Sequence, residues 1–302
     1  VIAVMAVAVG YILLANRGRI ERWVLNVAMV AVVGLLVVVD MTGVDSRYMN
    51  EDKWHDAAPM EVLPTKADRE ILKDKDLGYR VYDADSRGSA RAANFHRSVD
   101  GYHGAKLQRY DDILNRYIYA QNTEVLAMLN TKYIISGGTA HETYSFGPAW
   151  FVGGVGRVAT PAEELESLAN VDLATTAVVN EEVEGVEEYY DASGDIELVE
   201  YAPNYLKYEY TAPATAFAVF SEIYFPEGWS VKVDGEPMEY YATDYILRGV
   251  ELPAGKHIVE WSFRAPRWGV MSGIMAICSV VVLFFAGGAI YLLLTKRNSD
   301  VE

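Results

Sequence analysis

VMSGIMAICSVVVLFFAGGAIYLLL, residues 270–294, runs for 25 residues without a charge. As a helix it would reach ~37 Å, more than the ~30 Å hydrocarbon core of a bilayer, so it spans with tilt. A core helix of a water-soluble domain this size seldom needs so long an uncharged run. Two more apolar runs lie upstream. Residues 23–39 are broken only by Asn26 and would cover ~25 Å, enough with flanking anchors. Residues 1–14 would cover only ~21 Å and are expected to be the tail of a membrane helix cut short. No basic leader precedes that first run, which argues against a secretory signal. Trp23 and Trp268 stand at the edges of the second and third runs, where amphipathic rings favour the interface.

Lys and Arg set the expected orientation. The loop 15–22 carries Arg17, Arg19 and Arg22 against Glu21, and the tail carries Lys296 and Arg297. The positive-inside bias makes both cytoplasmic. The expected order is a truncated transmembrane helix (1–14), a cytoplasmic loop (15–22), a transmembrane helix (23–39), an extracytoplasmic α/β region (40–195), an extracytoplasmic β-sandwich (196–269), a transmembrane helix (270–294) and a cytoplasmic tail (295–302). The predicted class is α+β, a mixed domain ending in an antiparallel β-sandwich and flanked by transmembrane helices.

Residues 40–269 hold 21 basic and 39 acidic residues, a net charge of −18. A surface so acidic excludes a nucleic-acid partner, which needs a basic face, and opposes anionic lipid except locally. The sole cysteine, Cys278, lies inside the last apolar run, so no internal disulfide supports the domain. At roughly 230 residues it can rely on its own core.

Residues 40–78 are polar and punctuated by Pro59 and Pro64, and read as a leader off the membrane. YRVYD, residues 79–83, alternates like a strand. Residues 86–104 read as loop. From Ala105 to Gln121 a helix is expected, with Leu107, Tyr110, Leu114, Tyr117 and Gln121 on one face and Asp112 four before Arg116 as a surface pair. A short helix (124–129) and strands at 133–136, 149–152 and 174–179 follow. Between the last two, Thr160, Pro161 and Glu163 make a capping box with proline in the first turn. From Ile196 onward six short β-branched or aromatic runs are separated by turn signals, Asp234-Gly235 being the clearest hairpin. Spacing of about ten residues predicts the sandwich.

Several blocks resemble the bacterial YfhO-type membrane proteins. They are Val39-Asp40 through Arg47-Tyr48-Met49-Asn50; Tyr79-Arg80-Val81; HRSVDGYHGAKLQRY at 96–110; LAMLNTKYII at 126–135; Ala149-Trp150-Phe151-Val152; and the stretch from Asn204-Tyr205-Leu206 through FPEGW at 225–229 to PAGKH at 253–257. The resemblance covers nearly the whole chain. It departs at Met41, where a Leu-aromatic pair is expected to begin, and at Gly137-Gly138, where more polar residues are usual. It implies a multi-span protein of the bacterial cytoplasmic membrane with a GT-C-like glycosyltransferase architecture. Such a protein moves sugar from a polyprenyl-phosphate carrier to an envelope glycan. The implied catalytic acid belongs to an early extracytoplasmic loop, so no catalytic residue is assigned to this chain.

Two functions therefore stand. One is the acceptor-facing accessory part of a polyprenyl-phosphate-sugar-dependent glycosyltransferase. The other is a non-catalytic, membrane-anchored module that binds or scaffolds glycan. A sensor ectodomain is disfavoured by the short tail after Lys296. The expected partners are the lipid bilayer, the polyprenyl-phosphate sugar and envelope glycan, with no nucleic acid.

Candidate ligand contacts come from residues 80–116, with seven basic against five acidic residues. Arg97, Tyr102, His103, Lys106, Arg109 and Tyr110 combine cations for phosphate with ring faces for sugar. The alternative is that these cations pair with the domain's own acids. His103 is read as a possible base or as a turn residue, Asp111-Asp112 as part of a cation site or a solvated face, and Asp40 with Asp45 as contributors to a substrate cleft or markers of the membrane exit. The five histidines are scattered, so no zinc site and no cofactor is expected. The tyrosines of the β region offer either a carbohydrate platform or, by alternation, core.

Overall fold

The computed structural model describes residues 2–17, 20–49 and 62–299, with side chains for 7–17, 20–49 and 62–288. Arg19, Asn50, Pro59 and residues 300–302 lie outside the described residues. The chain divides into two compact units, Val1–Val62 and Leu63–Glu302.

The first unit is a helical hairpin of α1 (Ile2–Arg17) and α2 (Arg22–Tyr48). Asn26, the one polar break in the second apolar run, accepts the Tyr11 hydroxyl at 2.6 Å. Trp23 donates its indole N–H to Glu21 at 2.5 Å. Helix α2 does not stop at Val39 but continues through Asp40 and Asp45. Gly43 is the weakest helix former among those residues, and one glycine costs about 1 kcal/mol without breaking a helix. Both α2 and the final helix are apolar and long enough to cross a membrane.

The second unit is built around a β-sandwich. One sheet has the order β11 (Glu236–Met238), β10 (Trp229–Val233), β14 (Gly255–Phe263), β8 (Tyr205–Ala212) and β7 (Asp195–Ala202), with every pairing antiparallel. The facing sheet runs β12 (Tyr241–Thr243), β13 (Leu247–Leu252), β9 (Ala216–Phe220) and β4 (Ala149–Val152), also antiparallel. Strand β4 comes from well upstream of residue 196, so the sandwich draws on both expected regions of the domain. Alternation places Leu206, Tyr208, Tyr210 and Ala212 of β8 inside, against Phe220, Val250, Val259 and Trp261. The β10–β11 turn is the Asp234-Gly235 hairpin, both residues at positive φ (49° and 89°), as a two-residue primed turn demands.

Strand β9 is buried at every position because it lies between two layers. Ala216, Ala218 and Phe220 face the sandwich, while Phe217 and Val219 face a second core. That core is covered by α4 (Gln108–Ile113), its π-helical continuation Leu114–Ile118 and α5 (Thr123–Met128). Also packed there are the parallel pair β5 (Gly154–Val158) and β6 (Thr176–Asn180) and the connecting helix α6 (Pro161–Ser167). The capping box of α6 is formed as the sequence predicts, with Thr160 at the N-cap. The 105–121 helix is shorter than predicted. It starts at Gln108 and widens into the π turn, so Tyr110, Leu114 and Tyr117 pack inward while Leu107 stays exposed and Gln121 turns out at φ 56°.

A small sheet, β1 (Arg80–Asp83) parallel to β2 (Thr131–Ser136) with β3 (Thr139–Glu142), completes the domain beside α3 (Lys66–Ile71). Helix α3 falls within the stretch expected to be a polar leader. Thr65 and Asp68 form its capping box. The last described element is α7 (Trp268–Ser299), separated from β14 by the four residues 264–267.

Candidate functional site

Most cations of residues 80–116 are engaged by the domain's own groups; Arg80, Arg91, Lys106 and Arg109 are half-buried, while Arg87, Arg97 and Arg116 stay exposed. Arg91 lies between the buried carboxylates of Asp68 and Asp83, and His96 Nε2 meets Asp68 at 3.0 Å. Burial pushes Asp68 up, yet hydrogen bonds from Thr65, Arg91 and His96 outweigh it and hold the carboxyl at about 2. This network ties the Gly- and Arg-rich loop to α3 and β1. Arg80 donates to the carbonyls of Leu129 and Ser221, both at 2.8 Å, and pairs with Glu222 at 3.3 Å.

The six predicted contact residues point to different elements. Arg97 stacks on the Tyr201 ring, 3.5 Å from its centroid. Arg109 donates to Glu164 at 3.2 Å and to the Tyr245 carbonyl at 2.9 Å. Tyr110 sends its hydroxyl to the Val99 carbonyl at 2.6 Å, and burial pushes it to about 12. Lys106 pairs with Asp111 at 3.4 Å. His103 accepts the Ala105 N–H at 3.0 Å and so closes its own turn. Tyr102 is 81 % exposed. Asp112 accepts the Tyr245 hydroxyl at 2.7 Å, and the cation expected to pair with it, Arg116, meets Glu166 at 3.7 Å.

A cleft of about 660 Å³ opens between the small sheet and the edge of the sandwich. Its walls include Asp76, Tyr79, Asn130, Lys132, Pro148 and the β7 residues 196–199. Strand β7 has one neighbour in its sheet, so one row of its backbone N–H and C=O groups has no strand partner. Gly78, at φ 81°, sits where a β-carbon would come within 2.7 Å of Leu198 and 3.4 Å of Pro148; a side chain there would push into the wall shared by both sheets.

Each polar wall group has a local cause. The turn after α3 delivers Asp74 and Asp76 to Lys132 of β2, whose Nζ lies 2.6 Å from a carboxylate oxygen of each. Tyr133 donates to Asp74 at 2.9 Å, and its ring meets Tyr79 edge-on at 5.6 Å. Tyr79 in turn donates to the Ile71 carbonyl at 3.2 Å. Burial pushes Asp74 up, but bonds from Lys132, the Asp76 N–H and Tyr133 prevail and hold it below the usual carboxylate range. Burial opposes the charge of Lys132, but its two carboxylate partners outweigh that and raise it above its ordinary value. Burial, and then the bond to Asp74, lifts Tyr133 to about 12.

No family model matches the chain, and neither a curated protein nor a solved structure matches it. Function has to be argued from the cleft's own chemistry.

Asp74 is held below its ordinary range and Lys132 and Tyr133 above theirs, which disfavours proton transfer by these three, since a general acid or base works best with a pKa near the operating pH. They offer instead a fixed set of donors and acceptors beside an aromatic ring. Among the described residues no group of three His, Cys, Asp or Glu is placed to hold a metal ion. Sequence reasoning passed over the cleft residues. Asp74 and Asp76 fall in the stretch read as a polar leader and Lys132 in a block quoted for its resemblance, and only the fold brings together positions 56 and 58 residues apart.

Proposed function

We propose that the chain is the membrane-tethered, acceptor-facing part of an envelope glycosyltransferase of the YfhO type, and that its own contribution is to hold glycan rather than to transfer it. The observation that carries this reading is the cleft. It is concave, has a tyrosine in its wall and presents fixed polar groups together with a free strand edge. A sugar has an apolar C–H face that suits a ring and hydroxyls that suit paired donors and acceptors, and ligand sites are commonly concave with a few placed polar groups. The net charge of −18 over residues 40–269 disfavours a polyanionic ligand, so the glycan segment bound is uncharged or cationic. The locked protonation states of Asp74 and Lys132 support holding over transfer. The bacterial, extracytoplasmic placement rests on the arginine-rich loop and basic tail, and the glycosyltransferase context on the resemblance. The same cleft serves the second reading, a non-catalytic module that anchors glycan to the membrane.

The test is binding of envelope glycan fragments to the full chain in nanodiscs. Tyr79→Ala and Asp76→Ala each should weaken binding about tenfold, the loss of one stacking or charged contact. Exchange of both with unaltered affinity would end the assignment of this cleft.

A further inference from the structure

The junction between the sandwich and α7 has a chemistry of its own. Strand β14 ends at Phe263, whose N–H donates to the Asn204 carbonyl at 2.9 Å. The next N–H, of Arg264, donates to the Gly228 carbonyl at 2.8 Å. Arg267 then takes a positive φ of 58°, and its carbonyl accepts from Met271 at 3.0 Å in the first turn of α7. The connector is thus a tight, hydrogen-bonded turn with little slack. It holds this end of the sandwich against the start of the apolar helix. Arg267 precedes Val270 by three residues, ~4.5 Å along a helix axis. With α7 in lipid, Arg264 and Arg267 stand at the depth of the headgroups.

Their surroundings fit that depth. Trp268 is 68 % exposed and Phe225, in the neighbouring loop, 37 %; Trp229 stacks on Phe263 with centroids 5.3 Å apart. Trp268, exposed and carrying a polar ring N–H, is the kind of ring that gathers at the membrane interface. Among the described residues, Arg80, Arg91, Lys106, Arg109, Arg116 and Lys132 all pair with acids. Neither the Arg264 nor the Arg267 guanidinium has a hydrogen-bond or ion-pair partner there, and both side chains are exposed. Other exposed cations, Lys66, Arg69, Lys73, Lys232 and Lys256 among them, also lack a partner, but Arg264 and Arg267 are the pair that stands at the start of the final apolar helix. A cavity of about 550 Å³ lies at this place, lined by Asn204, Phe263, Arg264, Ala265, Trp268 and Gly269.

We propose that this cavity binds the phosphate headgroup of an anionic membrane lipid, with Arg264 in its wall and Arg267 beside it as the cationic contacts. The proposal rests on the membrane reading of α7 but not on the glycan cleft. It gives the acidic domain a fixed seat on a surface that its net charge would otherwise repel.

The full chain, purified in mild detergent, is titrated with phosphatidylglycerol, with phosphatidylcholine and with inorganic phosphate at matched ionic strength. Bound lipid is counted by native mass spectrometry. Phosphatidylglycerol should bind in preference to phosphatidylcholine. Arg264→Ala and Arg267→Ala should each weaken it about fivefold and the pair roughly thirtyfold, the effect of one and two cations at a membrane surface. Arg264→Lys with Arg267→Lys should keep most of the binding. Lys256→Ala, at the far end of β14 and ~24 Å away, should change nothing. Equal binding of the two lipids, undiminished phosphatidylglycerol on the double alanine variant, or displacement by inorganic phosphate as readily as by lipid would each overturn the proposal. An alkaline wash of expressing membranes separates this from the membrane reading. Wild-type chain released by the wash removes both, whereas chain retained by the bilayer leaves the lipid titration to decide.

Discussion

Replacing Asp244 by asparagine should abolish much of the stability loss that the domain undergoes as pH rises from 5 to 8. Asp244 sits in the β12–β13 turn and is fully buried. One carboxylate oxygen accepts the Val178 N–H at 2.8 Å, and the other has no partner within the protein. Burial, the dominant cause, together with the charge of nearby Glu164, pushes Asp244 from 3.8 to about 8. Below pH 3.8 the group is neutral in both folded and unfolded chains and has no effect. Above it the unfolded chain ionises while the folded one stays protonated, so each further pH unit favours unfolding by about 1.4 kcal/mol until the folded group ionises near pH 8. Between pH 5 and pH 8 the loss comes to about 4 kcal/mol. For a domain of this size that is on the order of 10 °C in Tm. Asparagine suits the turn, since it tolerates the positive φ of 50° at this position. Its carbonyl can keep the Val178 bond, and its amide stands where the protonated oxygen was. The assay is tryptophan fluorescence melting of the full chain in detergent across that pH range. Burial also raises Glu164, but it titrates in both proteins and largely cancels in the difference. Wild type and Asp244→Asn melting with parallel pH slopes would refute the reasoning.

Two packing predictions use the same melts. Arg80→Met should destabilise by about 3 kcal/mol, because it strands the Leu129 and Ser221 carbonyls and leaves Glu222 without its cation; an unchanged Tm would mean these groups find water instead. Gly249→Ala should cost about 1–3 kcal/mol, since its β-carbon would lie 2.5 Å from the Phe217 ring in the layer shared by the two cores; a variant as stable as wild type would show that the ring can move aside.

Much of the architecture is legible because its signals are local. The long uncharged run, the Thr160-Pro161-Glu163 helix start and the Asp234-Gly235 hairpin each depend on a few adjacent residues, and each appears in the structure. Alternation also sorts the tyrosines of β8, placing Tyr208 and Tyr210 in the core and leaving Tyr205 partly exposed. What stayed illegible depends on distant partners. AFAVF at 216–220 has no alternation to read because both of its faces are covered, one by elements far upstream. The role of Arg91 is invisible without Asp68, 23 residues away, and helix α3 was overlooked although Thr65 and Asp68 carry the three-residue spacing of a capping box. The acids of the 74–76 turn gained meaning only when β2 brought Lys132 to them.

The same distinction bears on the charge of the domain. Summed over residues 40–269, −18 argues that the domain should stand off an anionic bilayer. Yet at physiological salt a charge is felt over about 8 Å, so the sum matters less than which charges lie within that distance of the headgroups. Along the chain, the charged residues nearest the start of the last apolar run are Arg264 and Arg267, both cations and both without an internal partner among the described residues. The surplus acid of the domain beyond that layer is screened from the lipid but not from the cleft, where Asp76 and Glu197 meet whatever enters. On the proposed reading charge acts at two ranges: Arg264 and Arg267, against the single nearby acid Glu227, set how the domain sits, and its acids set what reaches the cleft. A rise in salt should therefore weaken exclusion of polyanions from the cleft and loosen the lipid contact together, while leaving binding of an uncharged glycan unmoved.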